Sequence, residues 1–334
     1  MVFRGFGLHR IADPSRQSEQ PCHHRSTSHY HSHTMAETNH SLVWITGSGG
    51  LIGSYILATA PKTPIPPFPL GGKGWGEGAP RVVGLTRPIL ELTDFAAVRE
   101  RFRRDKPELI IHCAALTRAS ACEQDPALAR KINVEATKFL TDLAADARFV
   151  LISTDLVFDG RSGWYDESAA VNPLTVYAQT KVEAEQIVLK NPHHTVIRTS
   201  LNGGTSPARN RGFNEELRRA WEAGKPTRLF IDEFRCPIPA IETAQAIWNL
   251  INKRATGLFH VAGKERLSRW QIGELVAARW PQLHPKLEQG SIRDYTGPPR
   301  SADTSLNCAK AEGLLGRALP GLGEWLKAHP EDPF

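Results

Sequence analysis

One eight-residue segment, Thr46-Gly47-Ser48-Gly49-Gly50-Leu51-Ile52-Gly53, restricts the fold more than any other. It follows a short apolar run, Leu42-Val43-Trp44-Ile45, and enters a stretch that reads as a helix over 51–60, stopped by Pro61. A buried strand, a glycine turn and a helix in that order open a βαβ unit. The three spaced glycines have separate duties. Gly47 makes the tight turn, Gly50 lets backbone amides approach a pyrophosphate at the positive helix N-terminus, and Gly53 lets helix and strand pack closely. The segment predicts a dinucleotide site at the start of an α/β array.

The rest of the chain extends that array. Apolar strand runs at 81–85, 109–113, 149–152, 195–197 and 257–261 alternate with helical stretches at 94–104, 126–145, 177–190 and 240–253. Near-continuous apolar strands separated by helices indicate a parallel sheet covered on both faces. The expected fold is α/β: a doubly wound Rossmann domain over 41–200 and a smaller C-terminal α/β substrate-binding lobe over 201–334, with 236–262 returning to the Rossmann core. Further helices are expected at 270–279 and 309–315.

Two segments break the pattern. Eleven of the 20 residues in 61–80 are Pro or Gly, which no packed element tolerates, so this reads as an inserted surface loop. Residues 1–40 hold seven of the 13 histidines and read as a disordered tail, ahead of a metal-binding tract, because no element there would fix ligands. Met35 stands where a native start would.

Charge and cysteine content narrow the function. Net charge is +6, of which +2 lies in residues 1–34 (four Arg, two acids), and no basic run is interleaved with aromatics. Nucleic acid is therefore not expected as a partner. No apolar run approaches the roughly 18 residues of a membrane span, and none resembles a signal peptide. Five scattered cysteines with no C-x-x-C pair argue for a reducing compartment, here the cytoplasm, and against a disulfide framework or zinc ribbon. No metal site is expected: His193-His194 reads as a loop pair. Cys113 reads as core, and no Gly-x-Ser-x-Gly elbow is present.

The end of the second strand reads the cofactor. Sites selective for NAD place Asp or Glu there for the ribose hydroxyl. This chain has Thr86-Arg87, a hydroxyl and a guanidinium suited to a 2′-phosphate, which puts NADPH ahead of NADH. Downstream, Tyr177 and Lys181 are four apart at a helix start and share a face. Lowering a phenol from about 10 to about 7 takes roughly 4 kcal/mol, which a fixed nearby ammonium in a partly dry site can supply. Lys181 can also hold a nicotinamide ribose. A strand ends in Ser153-Thr154, where either hydroxyl could donate to a substrate carbonyl beyond the carboxyl edge of the sheet.

These motifs together resemble the extended short-chain dehydrogenase/reductases, and within them the dTDP-4-dehydrorhamnose reductases. The resemblance runs from about Leu42 to Gly323. It is carried by Thr46–Gly53, Glu91-Leu92-Thr93-Asp94, His112-Cys113-Ala114-Ala115-Leu116-Thr117, Asn133-Val134-Glu135-Ala136-Thr137, Ser153–Gly160, Tyr177-x-x-x-Lys181, Arg198-Thr199-Ser200, Asp232–Pro237 and Arg300–Asn307. Departures include Leu156 where tyrosine is common, Tyr177-Ala178-Gln179 where Tyr-Gly-Lys is usual, and Arg300-Ser301 for a late Arg-Pro pair.

The resemblance implies a catalytic set of Thr154, Tyr177 and Lys181. It implies cofactor contacts at Gly47, Ser48, Gly50, Leu51, Ile52, Gly53, Thr86, Arg87, Glu91, Leu92, Asp94, Ala114, Ala115, Thr117 and Asn133, with Tyr177 and Lys181 shared. Substrate contacts are implied at Thr154, Asp155, Val157, Phe158, Asn202, Asp232, Arg235 and Arg300. The implied activity is NADPH-dependent reduction of a nucleotide-linked 4-keto sugar, with Tyr177 as proton donor. The alternatives are a sugar-nucleotide epimerase or dehydratase that recycles its cofactor, and a non-catalytic NADP-binding regulatory subunit of the methionine adenosyltransferase type. The expected partners are a nucleotide-sugar and, at most, a second copy of the chain as a homodimer.

Overall fold

The computed structural model describes residues 41–65, 78–332 and 334. The expected tail and residues 66–77 of the expected insertion lie outside them. Six strands form one parallel sheet: β1 (Leu42–Thr46), β2 (Arg81–Leu85), β3 (Leu109–His112), β4 (Arg148–Thr154), β5 (Thr195–Thr199) and β6 (Gly257–Val261). Their order is β6-β5-β4-β3-β1-β2. β1 therefore has β2 on one side and β3 on the other, with Thr46 level with Leu85 and His112. This is the point where strand order reverses and carboxyl ends open a crevice.

Alternation within the apolar strands supplies both faces. Val43, Ile45, Ile111, Val150 and Ile197 pack with Ile56 of α1 (Leu51–Ala58) and Ile247 and Trp248 of a helix at 240–252. On the other face Trp44, Ile110, Phe149 and Leu151 meet Val98 of α2 (Phe95–Asp105), Leu140 and Ala184. The helices between are α3 (Ala119–Gln124), α4 (Pro126–Arg130), α5 (Ala136–Leu143) and α6 (Val176–Val188). After β5 come α7 (Phe213–Glu222), α8 (Ala240–Asn252) and α9 (Arg269–Arg279).

Some elements differ from the sequence expectation. The continuous helix expected over 126–145 is interrupted by a π-helical turn at Lys131–Glu135. Such turns re-aim side chains and often sit beside functional sites. Ile65, inside the expected surface loop, is buried in the core, because an isoleucine beside the apolar α1–α8 face gains more from burial than the loop loses. The C-terminal part has its own core of Phe213, Leu217, Trp221, Ile272, Val276, Trp280, Leu322 and Trp325. Two short parallel strands, Thr227–Phe230 and Leu287–Gly290, pair beside it. Among the described residues no helix is long and apolar enough to cross a membrane.

Candidate active site

The glycine turn is determined by sterics. Gly47 has φ +70°, and a Cβ there would lie 2.6 Å from the Ala114 nitrogen. A Cβ on Gly53 would lie 2.4 Å from the Gly47 carbonyl oxygen. Only glycine satisfies both positions. A buried relay fixes the two strand ends. The Ala114 amide donates to Thr46 Oγ1 (3.4 Å), which contacts His112 Nδ1 at 2.6 Å. His112 Nε2 meets Thr137 Oγ1 at 3.0 Å, and that hydroxyl donates to the Asn133 carbonyl. Because Thr137 spends its proton on Asn133, the network assigns the His112 proton to Nε2 and makes Nδ1 the acceptor from Thr46. Burial and then the Lys181 charge hold His112 down to about 3, so it is neutral.

α1 starts after Gly50 with no side-chain cap and no acid in its first turn. Its first amides are thus free to meet an anion. A cleft of about 650 Å³ opens in front of them. Gly47, Gly50, Leu51, Ile52, Gly53, Thr86, Arg87, Glu91, Leu92, Ala114, Ala115, Thr117 and Asn202, all singled out from sequence, line it together. Arg87 Nε donates to Glu91 (2.8 Å), and Glu91 also accepts from the Thr93 amide and hydroxyl. Asn202 donates to Thr199 Oγ1 and the Ser200 carbonyl, while its own Oδ1 is buried and without a partner. The residues fit a dinucleotide: an uncapped helix start facing a bare glycine turn, Thr86-Arg87 on the β2 side, and an unspent acceptor on the β5 side.

The expected catalytic side chains, Thr154, Tyr177 and Lys181, are all buried, and none of them lines this cleft. Tyr177 and Lys181 lie on the buried face of α6, whose N-terminus is capped by Thr175. Tyr177 lies beside Thr154 at the end of β4. Lys181 Nζ donates to the Ile152 carbonyl at 2.8 Å. Burial pulls Lys181 down to about 8, against the opposing pull of Glu185. The phenol is not lowered as the spacing alone suggests. Burial pushes Tyr177 up, the Asp155 carboxylate adds to this, and the Thr154 hydroxyl and the Arg235 guanidinium offset only part. Ser153 is unavailable to a substrate, since its hydroxyl donates to Glu185, which pairs with buried Arg198.

Several implied contact residues serve the scaffold instead. Asp94 caps α2, accepting from the Ala97 amide at 3.0 Å, and does not line the cleft. Ser48 is buried against the Gly84 backbone. Asn133, in the π-turn, clamps Leu116 through its amide (2.8 Å) and carbonyl (3.1 Å) and donates to Thr180 (3.0 Å). It holds the β3–α3 loop on α6 and acts on the cleft through Leu116. Asp155 is fully buried and pairs with Arg235 through both guanidinium donors, Nε at 2.6 Å and Nη2 closer still. Val157 and Phe158 are fully buried, with Phe158 stacked on Tyr165 at 4.1 Å, and neither lines the cleft. Asp232 holds Ser291 and the Ile292 amide. Arg300 forms a fork with Glu233 and covers the rings of Phe230 and Tyr295.

The cleft also takes residues that sequence reasoning passed over: Ile132 from the π-turn, Ser200 and Leu201 after β5, and Arg211 and Phe213 at the start of α7. The Arg198-Thr199-Ser200 motif pointed at Ser200. Nothing local marks Arg211, which sits in a polar loop sequence. Among the described residues no cluster of His, Cys, Asp and Glu could hold a metal ion. Burial pushes the Cys113 thiol, at the cleft floor, up to about 12, which makes it a poor nucleophile.

Comparison with known proteins adds four findings. The family model described as the RmlD substrate binding domain matches residues 43–329. Methionine adenosyltransferase 2 subunit beta of Xenopus laevis is 27% identical over 83% of this chain and 83% of its own length. A dTDP-4-keto-6-deoxy-D-glucose reductase of Streptomyces niveus is 30% identical over 65% of this chain and 70% of its own. In fold, the chain is similar to a dTDP-4-dehydrorhamnose reductase of Bacillus anthracis solved with NADP. That structure has a TM-score of 0.75 at 21% identity and covers 86% of this chain and 98% of that one.

Proposed function

The chain belongs to the RmlD substrate binding domain family, and from that membership we propose that it is an NADPH-dependent reductase of a nucleotide-linked 4-keto sugar, of the dTDP-4-dehydrorhamnose type. The observation that carries the reading is a cleft lined by the glycine turn and by Ile152, whose carbonyl accepts from Lys181 on the same buried face of α6 as Tyr177. The glycine turn would hold the pyrophosphate, Thr86 and Arg87 the 2′-phosphate, and Lys181 the nicotinamide ribose. Bound NADPH would supply the hydride. Thr154, whose hydroxyl donates to Asp155 in the structure, would turn that donor to the carbonyl, and Tyr177 gives its proton to the ketone oxygen as the carbon is reduced.

The raised phenol suits this direction. Reduction starts from a protonated tyrosine, and burial keeps Tyr177 protonated. An epimerase or dehydratase must first remove a proton from a hydroxyl, for which a phenolate is needed. The Streptomyces relative is named for reduction of dTDP-4-keto-6-deoxy-D-glucose, and the Bacillus structure was solved with NADP. For this chain the nucleotide-sugar, and 201–334 as the lobe that receives it, are part of the proposal.

The test is oxidation of NADPH with dTDP-4-dehydrorhamnose by the native chain and by Tyr177→Phe. Turnover that disappears in the variant supports the reading; NADP released in step with product separates a reductase from a cofactor-recycling epimerase. A second reading has its own support. Lys181 is engaged by a backbone carbonyl, and the methionine adenosyltransferase beta relatives match most of the chain. NADPH binding without turnover, together with capture of a methionine adenosyltransferase, would favour that binding role.

A further inference from the structure

Among the described residues, two cations line the cleft: Arg87 and Arg211. Arg87 is tied to Glu91. The Arg211 side chain is exposed and makes no hydrogen bond or ion pair with the described residues. Yet the backbone carrying it is held with unusual care. The buried Glu215 carboxylate accepts from the amides of Ser206 (2.8 Å), Arg211 (2.8 Å) and Gly212 (2.7 Å). The Asn214 side chain, fully buried, closes on the Gly204 amide and carbonyl. Tyr55 Oη accepts from the Thr205 amide at 3.1 Å, which ties the loop to α1 within two residues of Gly53. The loop is therefore fixed to the same helix whose first turn faces the glycine segment.

The opposite wall is short of charge. Thr46–Gly53 contains no cation, and α1 contributes about half a unit of positive charge at its start. A pyrophosphate carries about two negative charges, so the glycine turn alone leaves much of it uncompensated. A guanidinium matches phosphate oxygens with two parallel donors. Asn202, which lines the same side of the cleft, carries a buried Oδ1 with no partner among the described residues.

Resting on the dinucleotide reading of the cleft, we propose that Arg211 is a clamp for the cofactor pyrophosphate, reaching from the small lobe to close the phosphates against the start of α1. The fixed backbone leaves only the side chain to order on binding, and the absence of an acidic partner leaves its fork available.

The test is titration of NADPH fluorescence on the native chain, Arg211→Gln and Arg211→Lys, at low and high salt. A hydrogen-bonded pair with a charged group predicts that Arg211→Gln raises the Kd roughly tenfold to a hundredfold. It also flattens the salt dependence, and Arg211→Lys falls between. Adenosine 2′-monophosphate, which reaches only the Thr86-Arg87 end, should displace NADPH from the native chain and from Arg211→Gln with equal affinity. An unchanged NADPH Kd in Arg211→Gln overturns the clamp. So does an equal loss for adenosine 2′-monophosphate, which would mean general damage to the cleft. Weakened binding of dTDP with NADPH unaffected would assign Arg211 to the substrate and overturn the cofactor assignment. Failure of the native chain to bind any dinucleotide would refute the underlying reading, and the clamp with it, and is distinct from these.

Discussion

Asp155→Asn should be the most damaging single change of one atom type in this protein. The carboxylate is fully buried and accepts from Thr154 Oγ1 (3.2 Å), Ser200 Oγ (2.6 Å), Thr304 Oγ1 (3.2 Å) and two donors of Arg235. All of these are donors, so an amide nitrogen in place of one oxygen meets donors head-on. The loss also leaves the buried Arg235 with only Glu233, at 3.9 Å, as a charge partner. Breaking one side of a buried pair costs about 3–5 kcal/mol, a third or more of the ~5–15 kcal/mol that holds a typical domain together. Urea unfolding at pH 7 measures this directly. Replacing both partners by apolar residues, Asp155→Leu with Arg235→Met, should cost less than Asp155→Asn alone, because no bare charge is left behind. A loss under about 1 kcal/mol in Asp155→Asn, or a double variant whose cost equals the sum of the two singles, would refute the argument that this pair is a coupled, desolvated unit.

Other outcomes follow from the same geometry. Burial holds His112 down to about 3 and His194 and His260 down to about 4, all from 6.5. Between those limits the unfolded chain binds protons that the folded chain does not, so stability is present above pH 6.5 and falls as pH drops toward 4. Three such groups give a slope of up to about 4 kcal/mol per pH unit, partly offset by the raised carboxyl of Glu108. Urea midpoints that stay level between pH 6 and pH 5 would contradict this. Gly47→Ala places a methyl 2.6 Å from a backbone nitrogen at φ +70°, and should abolish dinucleotide binding and lower the melting temperature. Arg87→Ala should weaken NADPH roughly tenfold or more and leave NADH nearly unchanged, as read by fluorescence titration. Equal effects on the two cofactors would remove Arg87 from phosphate recognition.

Much of the fold was legible because its signals are local. Apolar runs set off by Gly and Pro placed all six sheet strands, and Asp94 was readable as the cap of α2. The same residue carries a second reading from family resemblance, as a cofactor contact, while its Oδ1 caps the helix in the structure. Sequence spacing put Tyr177 and Lys181 on one face. It could not show that Lys181 turns to the Ile152 carbonyl, or that the cation acting on the phenol is Arg235, far along the chain.

What the sequence by itself determined is the set of backbone conformations: where the chain turns, which stretches are strands or helices, and that Gly47 and Gly53 must lack side chains. Those properties depend on a residue and its near neighbours. What only the tertiary structure decided is how charge is distributed. Asp155 with Arg235, Glu233 with Arg300, Ser153 with Glu185, and Arg211 left without a side-chain partner among the described residues are outcomes of which segments the sheet order brings together. A carboxylate bound to a buried guanidinium and one free to meet a ligand have the same letter in the sequence. The difference between them is desolvation and the position of the nearest opposite charge, and both exist only once the chain is folded.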